Sequence, residues 1–253
     1  MLNEQTVDKL FSMKLNALAD AFKDQMNSTE FSELPFDERF GLLVDRQWTW
    51  KENQRLKRLL KNARLKINAC VEDIDYRSPR GLDKSVLMNL VSCDWIRKHQ
   101  NVILTGATGV GKTFIACALA NKACREGLKT FYTSAPRLHY DLAIAKADGS
   151  YTVIMARLAK AQLLILDDLG LAPMTDPERR NLLEVIEDRN GSGATLIASQ
   201  LPVEKWHETI GDPTIADAIL DRIVHNAHRI NLKGDSMRKV HSILTEKETR
   251  VNN

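Results

Sequence analysis

The sequence predicts an α/β fold, a central parallel sheet flanked by helices, behind a small all-helical N-terminal domain. Three observations carry that prediction. From Asn101 onward, strand-length apolar runs alternate with segments of helical length, the rhythm of a parallel sheet covered on both sides. Before residue 70 no strand alternation occurs, and apolar residues recur at three- and four-residue steps instead. Between these stretches, Ser78-Pro79-Arg80-Gly81 forms a turn cluster. The boundaries that follow are 1–69 for the helical domain, 70–82 for a linker and 83–253 for the α/β domain.

The elements can be justified in order. Val7, Leu10, Phe11, Leu15, Leu18 and Phe22 share one helical face, so the spacing predicts a first helix that ends at Asn27-Ser28-Thr29. Pro35-Phe36-Asp37 opens a second helix with Phe40, Leu43 and Val44 as its apolar side. A third is expected through Trp48 to Leu65, with Leu56, Leu59, Leu60, Ala63 and Ile67 as its apolar positions. A helix from Lys84 to about Asp94 leads into the α/β domain. The strand runs are Val102-Ile103-Leu104, Thr130-Phe131-Tyr132, Leu163 to Leu166 and Thr195 to Ala198, with His228 to Leu232 as a further edge.

The 253 residues, 43% hydrophobic and 27% charged, suit one α/β domain with an appendage. A signal peptide and an apolar stretch near the ~18 residues that span a bilayer are both missing, so the expectation is a cytoplasmic protein with no membrane partner. Cys70, Cys93, Cys117 and Cys124 show no zinc spacing and read as small buried hydrophobes. His225 and His228 lack an accompanying carboxylate–histidine signature for a metal.

The chemistry lies between the first strand run and the next helix. Gly106-Ala107-Thr108-Gly109-Val110-Gly111-Lys112-Thr113 matches the phosphate-binding P-loop pattern at every fixed position, in its strand–loop–helix context. Glycines let successive backbone N–H groups turn inward on phosphate, and the helix N-terminus adds partial positive charge. Lys112 is expected to neutralise the β- and γ-phosphates of ATP, and the Thr113 hydroxyl to ligate Mg²⁺. Some fifty residues on, Leu163 to Leu166 ends in Asp167-Asp168, which puts two carboxylates at the C-terminal edge of the sheet. Asp167 is expected in the Mg²⁺ shell, and Asp168 to orient or activate the attacking water.

With these motifs the chain resembles the AAA+ class of P-loop ATPases and, within it, the IstB/DnaC-like group. The resemblance rests on Cys93-Asp94-Trp95-Ile96, the P-loop itself, Leu164-Ile165-Leu166-Asp167-Asp168-Leu169-Gly170 and Ala198-Ser199-Gln200-Leu201-Pro202. It continues through Ile219-Leu220-Asp221-Arg222-Ile223 and Gly234-Asp235-Ser236-Met237-Arg238-Lys239, and Phe36-Asp37-Glu38-Arg39 adds an N-terminal echo of IstB, the helper ATPase encoded beside a bacterial transposase. The resemblance implies ATP hydrolysis, with Ser199 or Gln200 at the sensor-1 strand end, Arg238 near sensor 2, and Arg222 as an arginine finger acting on a neighbouring subunit's nucleotide. It implies a homo-oligomer held through ATP-bridged interfaces. The family's second acid is often Glu, and Asp168 reaches less far, which implies a slow, switch-like enzyme stimulated by assembly, DNA or partner.

A local basic block points to a polyanion. From Arg46 to Lys66 lie Arg46, Lys51, Arg55, Lys57, Arg58, Lys61, Arg64 and Lys66, opposed by Asp45 and Glu52 alone, on a chain whose net charge is only +3. Lys51, Arg55, Lys57, Arg58, Lys61 and Arg64 are the candidate contacts. Lys51, Arg55, Arg58 and Lys61 follow helical steps, and no base-reading motif accompanies them, so the expectation is double-stranded DNA held with little sequence preference. Trp48 and Trp50 are expected to pack the helical domain rather than stack on bases. By resemblance the whole assembles on target DNA and recruits or stimulates a transposase. The rivals are a replicative helicase loader, which favours single strands, and an architectural protein that uses ATP without turnover.

Overall fold

The computed structural model describes residues 2–237. The chain divides into two compact units, residues 1–58 and 59–253.

In the first unit, α1 (Leu2–Ser12) and α2 (Asn16–Asn27) are followed by a short 3₁₀ turn and by α3 (Phe36–Ala63), which runs on into the second unit's first residues. The single first helix expected from periodicity is two, because the chain breaks at Lys14, whose φ is +60°. Conversely, the two helices expected between Pro35 and Leu65 are one helix of 28 residues. Nothing in Asp45-Arg46-Gln47 breaks a helix, and the switch from apolar to basic side chains changes what the helix faces, not its backbone. α3 meets α2 through Gln47, whose side-chain oxygen accepts from Leu18 N at 3.1 Å, and through the Arg39 carbonyl, which accepts from Gln25 Nε2 at 3.0 Å, and its Leu43 is buried. Phe40 and Val44, expected inward, are 51% and 44% exposed. Trp48, expected to pack, is 66% exposed, and Trp50 is exposed as well.

The second unit is built on a five-stranded parallel sheet. In chain order come α4 (Lys84–Val91), α5 (Asp94–Arg97), β1 (Asn101–Gly106), α6 (Lys112–Arg125), β2 (Thr130–Ser134), α7 (Ala135–Asp148), α8 (Tyr151–Lys160), β3 (Leu163–Leu169), α9 (Asp176–Arg189), β4 (Ala194–Ser199), α10 (Trp206–Ile210), α11 (Pro213–Val224) and β5 (Ala227–Leu232). The strand order is β2-β3-β4-β1-β5. Strands buried on both faces read as continuous apolar runs, as Leu163 to Leu166 does.

Alternation along β1 sorts the core. Val102 and Leu104 join a cluster with Leu87, Trp95, Ile115 and Leu119, whereas Ile103 joins the opposite one with Leu142, Leu158, Ile197 and Ile219. Thus α4 to α6 cover one face and α7 to α11 the other. Within the stretch read as a linker, Ile74 is buried in the first cluster, and Arg80 O accepts from Lys233 N at 2.8 Å. Of the cysteines, Cys93, Cys117 and Cys124 are buried and Cys70 is partly so. Among the described residues no helix is long and apolar enough to cross a membrane.

Candidate nucleotide-binding site

The P-loop joins β1, in the sheet interior, to α6, and its glycines meet close neighbours. Gly106 has φ +143°, and a Cβ there would collide with the Leu232 carbonyl on β5. Gly111 has φ +102°, and its Cβ would lie 2.5 Å from Arg80 Nη1. The loop therefore curls between β5 and the segment before α4, at the N-terminus of a 14-residue helix. A cavity of about 680 Å³ opens over it, lined in part by Thr108, Gly109, Lys112, Thr113, Asp168 and Gln200. That volume lies within the usual range for ligand pockets, about 300–1,000 Å³.

Lys112 is 6% exposed, and its Nζ donates to the Gly106 and Ala107 carbonyls at 2.7 and 2.9 Å. Burial pushes its ammonium below the usual lysine range, while the charges of Asp167 and Asp168 pull the other way. An anion in the loop would add a counter-charge beside it.

Asp167, at the end of β3, is fully buried. Its Oδ2 accepts from Thr113 Oγ1 at 2.8 Å and from Tyr132 OH at 2.7 Å, and its Oδ1 from Asp168 N at 2.9 Å. A hydroxyl and a carboxylate converging at this spacing form the hard-oxygen pair that Mg²⁺ prefers, so the residues present fit that ion. Tyr132 is the residue that motif reading missed. It reaches Asp167 because β2 pairs with β3, with Tyr132 opposite Ile165, a juxtaposition that no spacing rule reports. Burial, reinforced by Asp167, drives its phenol well above the ordinary range, so it stays a donor.

Asp168 has φ +59°, rare for a residue with a Cβ, and it follows the ladder's irregularity between Leu166 and Leu169. Its backbone turns the side chain out of the strand toward the cavity, where Oδ2 lies 3.5 Å from Lys66 Nζ. Lys66 belongs to the basic block by sequence, yet it lines this cavity.

The two sensor-1 candidates part ways. Ser199 is fully buried; its hydroxyl donates to Leu169 O at 2.7 Å and accepts from Leu201 N at 3.1 Å, which ties β4 to the end of β3. Gln200 lines the cavity, and its Oε1 accepts from Thr108 Oγ1 at 2.7 Å. Arg222 does not line the cavity. It sits on α11, with Nη1 donating to Ala218 O at 2.7 Å and Nη2 to Glu187 Oε1 at 2.9 Å, at the edge of an open groove. Arg238 lies outside the described residues. A second residue outside the motifs is Arg80, 5% exposed, which donates from Nη1 to Val110 O at 3.1 Å and from Nη2 to Asp75 O at 2.6 Å.

The six bases expected at DNA are all exposed, Lys51, Arg55, Lys57 and Arg58 in the first unit and Lys61 and Arg64 in the second. Of these only Arg55 has an acidic partner among the described residues, Glu52 at 3.5 Å, one turn away. Arg64 lies 5.9 Å from the centroid of the Phe131 ring, which Arg157 also approaches, at 4.7 Å.

Residues 8–245 match the profile of the family described as IstB-like ATP binding protein. An insertion-sequence ATP-binding protein of Sinorhizobium fredii is 48% identical over 239 residues, 94% of this chain and 98% of the relative. The IS21 ATP-binding protein of Pseudomonas aeruginosa is 29% identical over 229 residues, 90% of this chain and 86% of its own. Among solved structures, DnaI superposes with a TM-score of 0.58 at 19% identity, over 70% of this chain and 93% of its own. AMPPCP-bound DnaA from Aquifex aeolicus gives 0.58 at 16%, over 74% and 56%. At those identities the structural likeness speaks for the AAA+ fold alone.

Proposed function

Because the chain belongs to the IstB-like family of insertion-sequence ATP-binding proteins, a family of P-loop ATPases, we propose that it assembles on double-stranded target DNA under the control of ATP and recruits or stimulates a partner transposase. One observation carries the DNA half of this reading: Lys51, Lys57, Arg58 and Lys61 stand exposed along one helix with no acidic partner among the described residues. Such a row neutralises phosphates without reading bases.

At the ATP site, loop amides and Lys112 Nζ hold the phosphates, the lysine exchanging its two carbonyl acceptors for phosphate oxygens. Thr113 Oγ1 and Asp167 would hold Mg²⁺, which when bound neutralises charge on the transferring phosphoryl group. Tyr132 keeps Asp167 in one rotamer. Asp168 orients the attacking water, and Gln200, already bonded to the P-loop at Thr108, is the sensor of the terminal phosphate, with Ser199 as its strut. Arg222 acts on a neighbour's nucleotide, which requires it to leave Glu187. That pair is partly exposed, 28% and 47%, so its release costs only about 0–1 kcal/mol.

The test is a binding titration of duplex and single-stranded oligonucleotides against salt, with and without a slowly hydrolysed ATP analogue. The expected result is nucleotide-dependent preference for duplex and an affinity that falls with salt. Neutralising Lys57, Arg58 and Lys61 together should lower the log–log salt slope by about 2–3. A salt-independent affinity, or a triple variant that binds like the parent, refutes the DNA reading; a preference for single strands supports the helicase-loader alternative. Asp168→Asn should retain ATP and lose turnover, which separates an ATPase from a protein that uses ATP only as glue.

A further inference from the structure

We propose that Lys66 is a positioning residue for hydrolysis: it holds the Asp168 carboxylate off the attacking water until DNA phosphate at the neighbouring bases Lys61 and Arg64 draws its ammonium away. The second half rests on the DNA reading above; the first does not.

The hold is built into the chain. Ala63, fully buried, is the last residue of α3. Arg64, with φ +53°, ends the helix and redirects the backbone, and Ala69, again fully buried, anchors the far side. Between these anchors Leu65 packs against the core cluster that contains Ile115 and Leu119 of α6, the helix that carries Lys112 and Thr113. Lys66 is thus held between two buried alanines beside that core, and its side chain lines the cavity and reaches Asp168.

At 3.5 Å the ammonium engages Oδ2, one of the two oxygens through which Asp168 would accept a hydrogen bond from water, and draws the carboxylate toward itself. The Asp168 backbone amide is engaged with Asp167, so the carboxylate is the free end of a rigid turn, and what meets it decides where it points. The contact is also releasable. Lys66 is 49% exposed and sits on a flexible four-carbon stem, so a phosphate arriving at exposed Lys61 or Arg64 competes for the same charge. Partly exposed pairs are modest in strength, which suits a brake that yields to a ligand.

The experiment is steady-state ATP turnover of the full chain without DNA and with saturating duplex, for the parent, Lys66→Met and Lys66→Arg, with ATP affinity measured in parallel. Lys66→Met should raise DNA-free kcat about two- to fivefold, the range set by a modest ion pair, with KM unchanged. Its DNA stimulation should shrink by the same factor, and Lys66→Arg should keep both parental values. A DNA-free kcat at or below the parent's in Lys66→Met, with ATP still bound, overturns the hold. Should that variant fail to bind ATP, Lys66→Gln decides by the same criterion. A raised DNA-free rate with undiminished DNA stimulation overturns the coupling while keeping the hold. If DNA stimulates no protein, including the parent, the DNA half of the proposal falls and the DNA-free comparison still decides the other.

Discussion

Replacing Arg80 with Met should loosen the P-loop from behind without touching a phosphate. The guanidinium is 5% exposed and holds two backbone carbonyls, Val110 O at 3.1 Å and Asp75 O at 2.6 Å. A hydrogen bond from a charged donor contributes about 1.5–3 kcal/mol, and a buried acceptor left without a donor costs about 1–3 kcal/mol. Against this runs the relief of an awkward burial. Arg80 makes no ion pair among the described residues, its Nε is buried without a partner, and burial pushes its pKa below the usual arginine range. The difference is a net loss of about 2 kcal/mol, since one orphaned donor is removed while two carbonyls are stranded. For a unit of this size that lowers the melting temperature by about 4–8 °C. Part of the loss falls on nucleotide binding, because Val110 and Gly111 carry loop amides and Gly111 rests against Arg80. ATP affinity should therefore fall about tenfold, or about 1.4 kcal/mol. Calorimetric titration with ATP and thermal unfolding of the same samples measure both. An ATP affinity within twofold of the parent, in a variant that melts lower, would show Arg80 to be a fold strut with no bearing on the loop.

Two further outcomes follow from single contacts. Tyr132→Phe removes one of two donors to the buried Asp167 Oδ2; the magnesium concentration that half-saturates turnover should rise about tenfold and stability should fall by about 1.5–3 kcal/mol, and an unchanged magnesium titration refutes the role of the phenol at the metal site. Glu178 closes the capping box of α9, and hydrogen bonds from the backbone and side chain of Thr175 hold its carboxyl below the ordinary 4.5. A lowered folded pKa means that this stability is complete above 4.5 and is lost as pH falls through the folded value. Glu178→Gln should accordingly melt below the parent at pH 7, by about 0.5–1 kcal/mol, and match it near pH 3; a gap that persists in acid refutes the assignment.

The α/β class, the five strands and the P-loop were legible in the sequence because each depends on local patterning. A fully buried strand must be apolar throughout, as Leu163 to Leu166 is, and a loop that curls around phosphate needs glycine at fixed offsets, as Gly106 and Gly111 stand. The same local signals misjudged the N-terminal helices. A basic run beginning near Trp48 looks like a new element, but a change in side-chain character does not interrupt backbone hydrogen bonds, and α3 continues through it. Trp48 is expected inward on residue type, yet it stands exposed, because residue type alone does not say which side of a helix its neighbours cover.

By itself, then, the sequence determined the fold class, the phosphate loop and the paired acids, each of which is written in short local runs of the chain. The tertiary structure alone decided which of Ser199 and Gln200 faces the cavity, that Tyr132 steadies Asp167 across a strand pair, that Arg80 supports the loop, and that Lys66 leaves the basic block to meet Asp168. Those relations join residues far apart in the chain, and their existence depends on strand order and on where the backbone turns, quantities that side-chain periodicity does not carry.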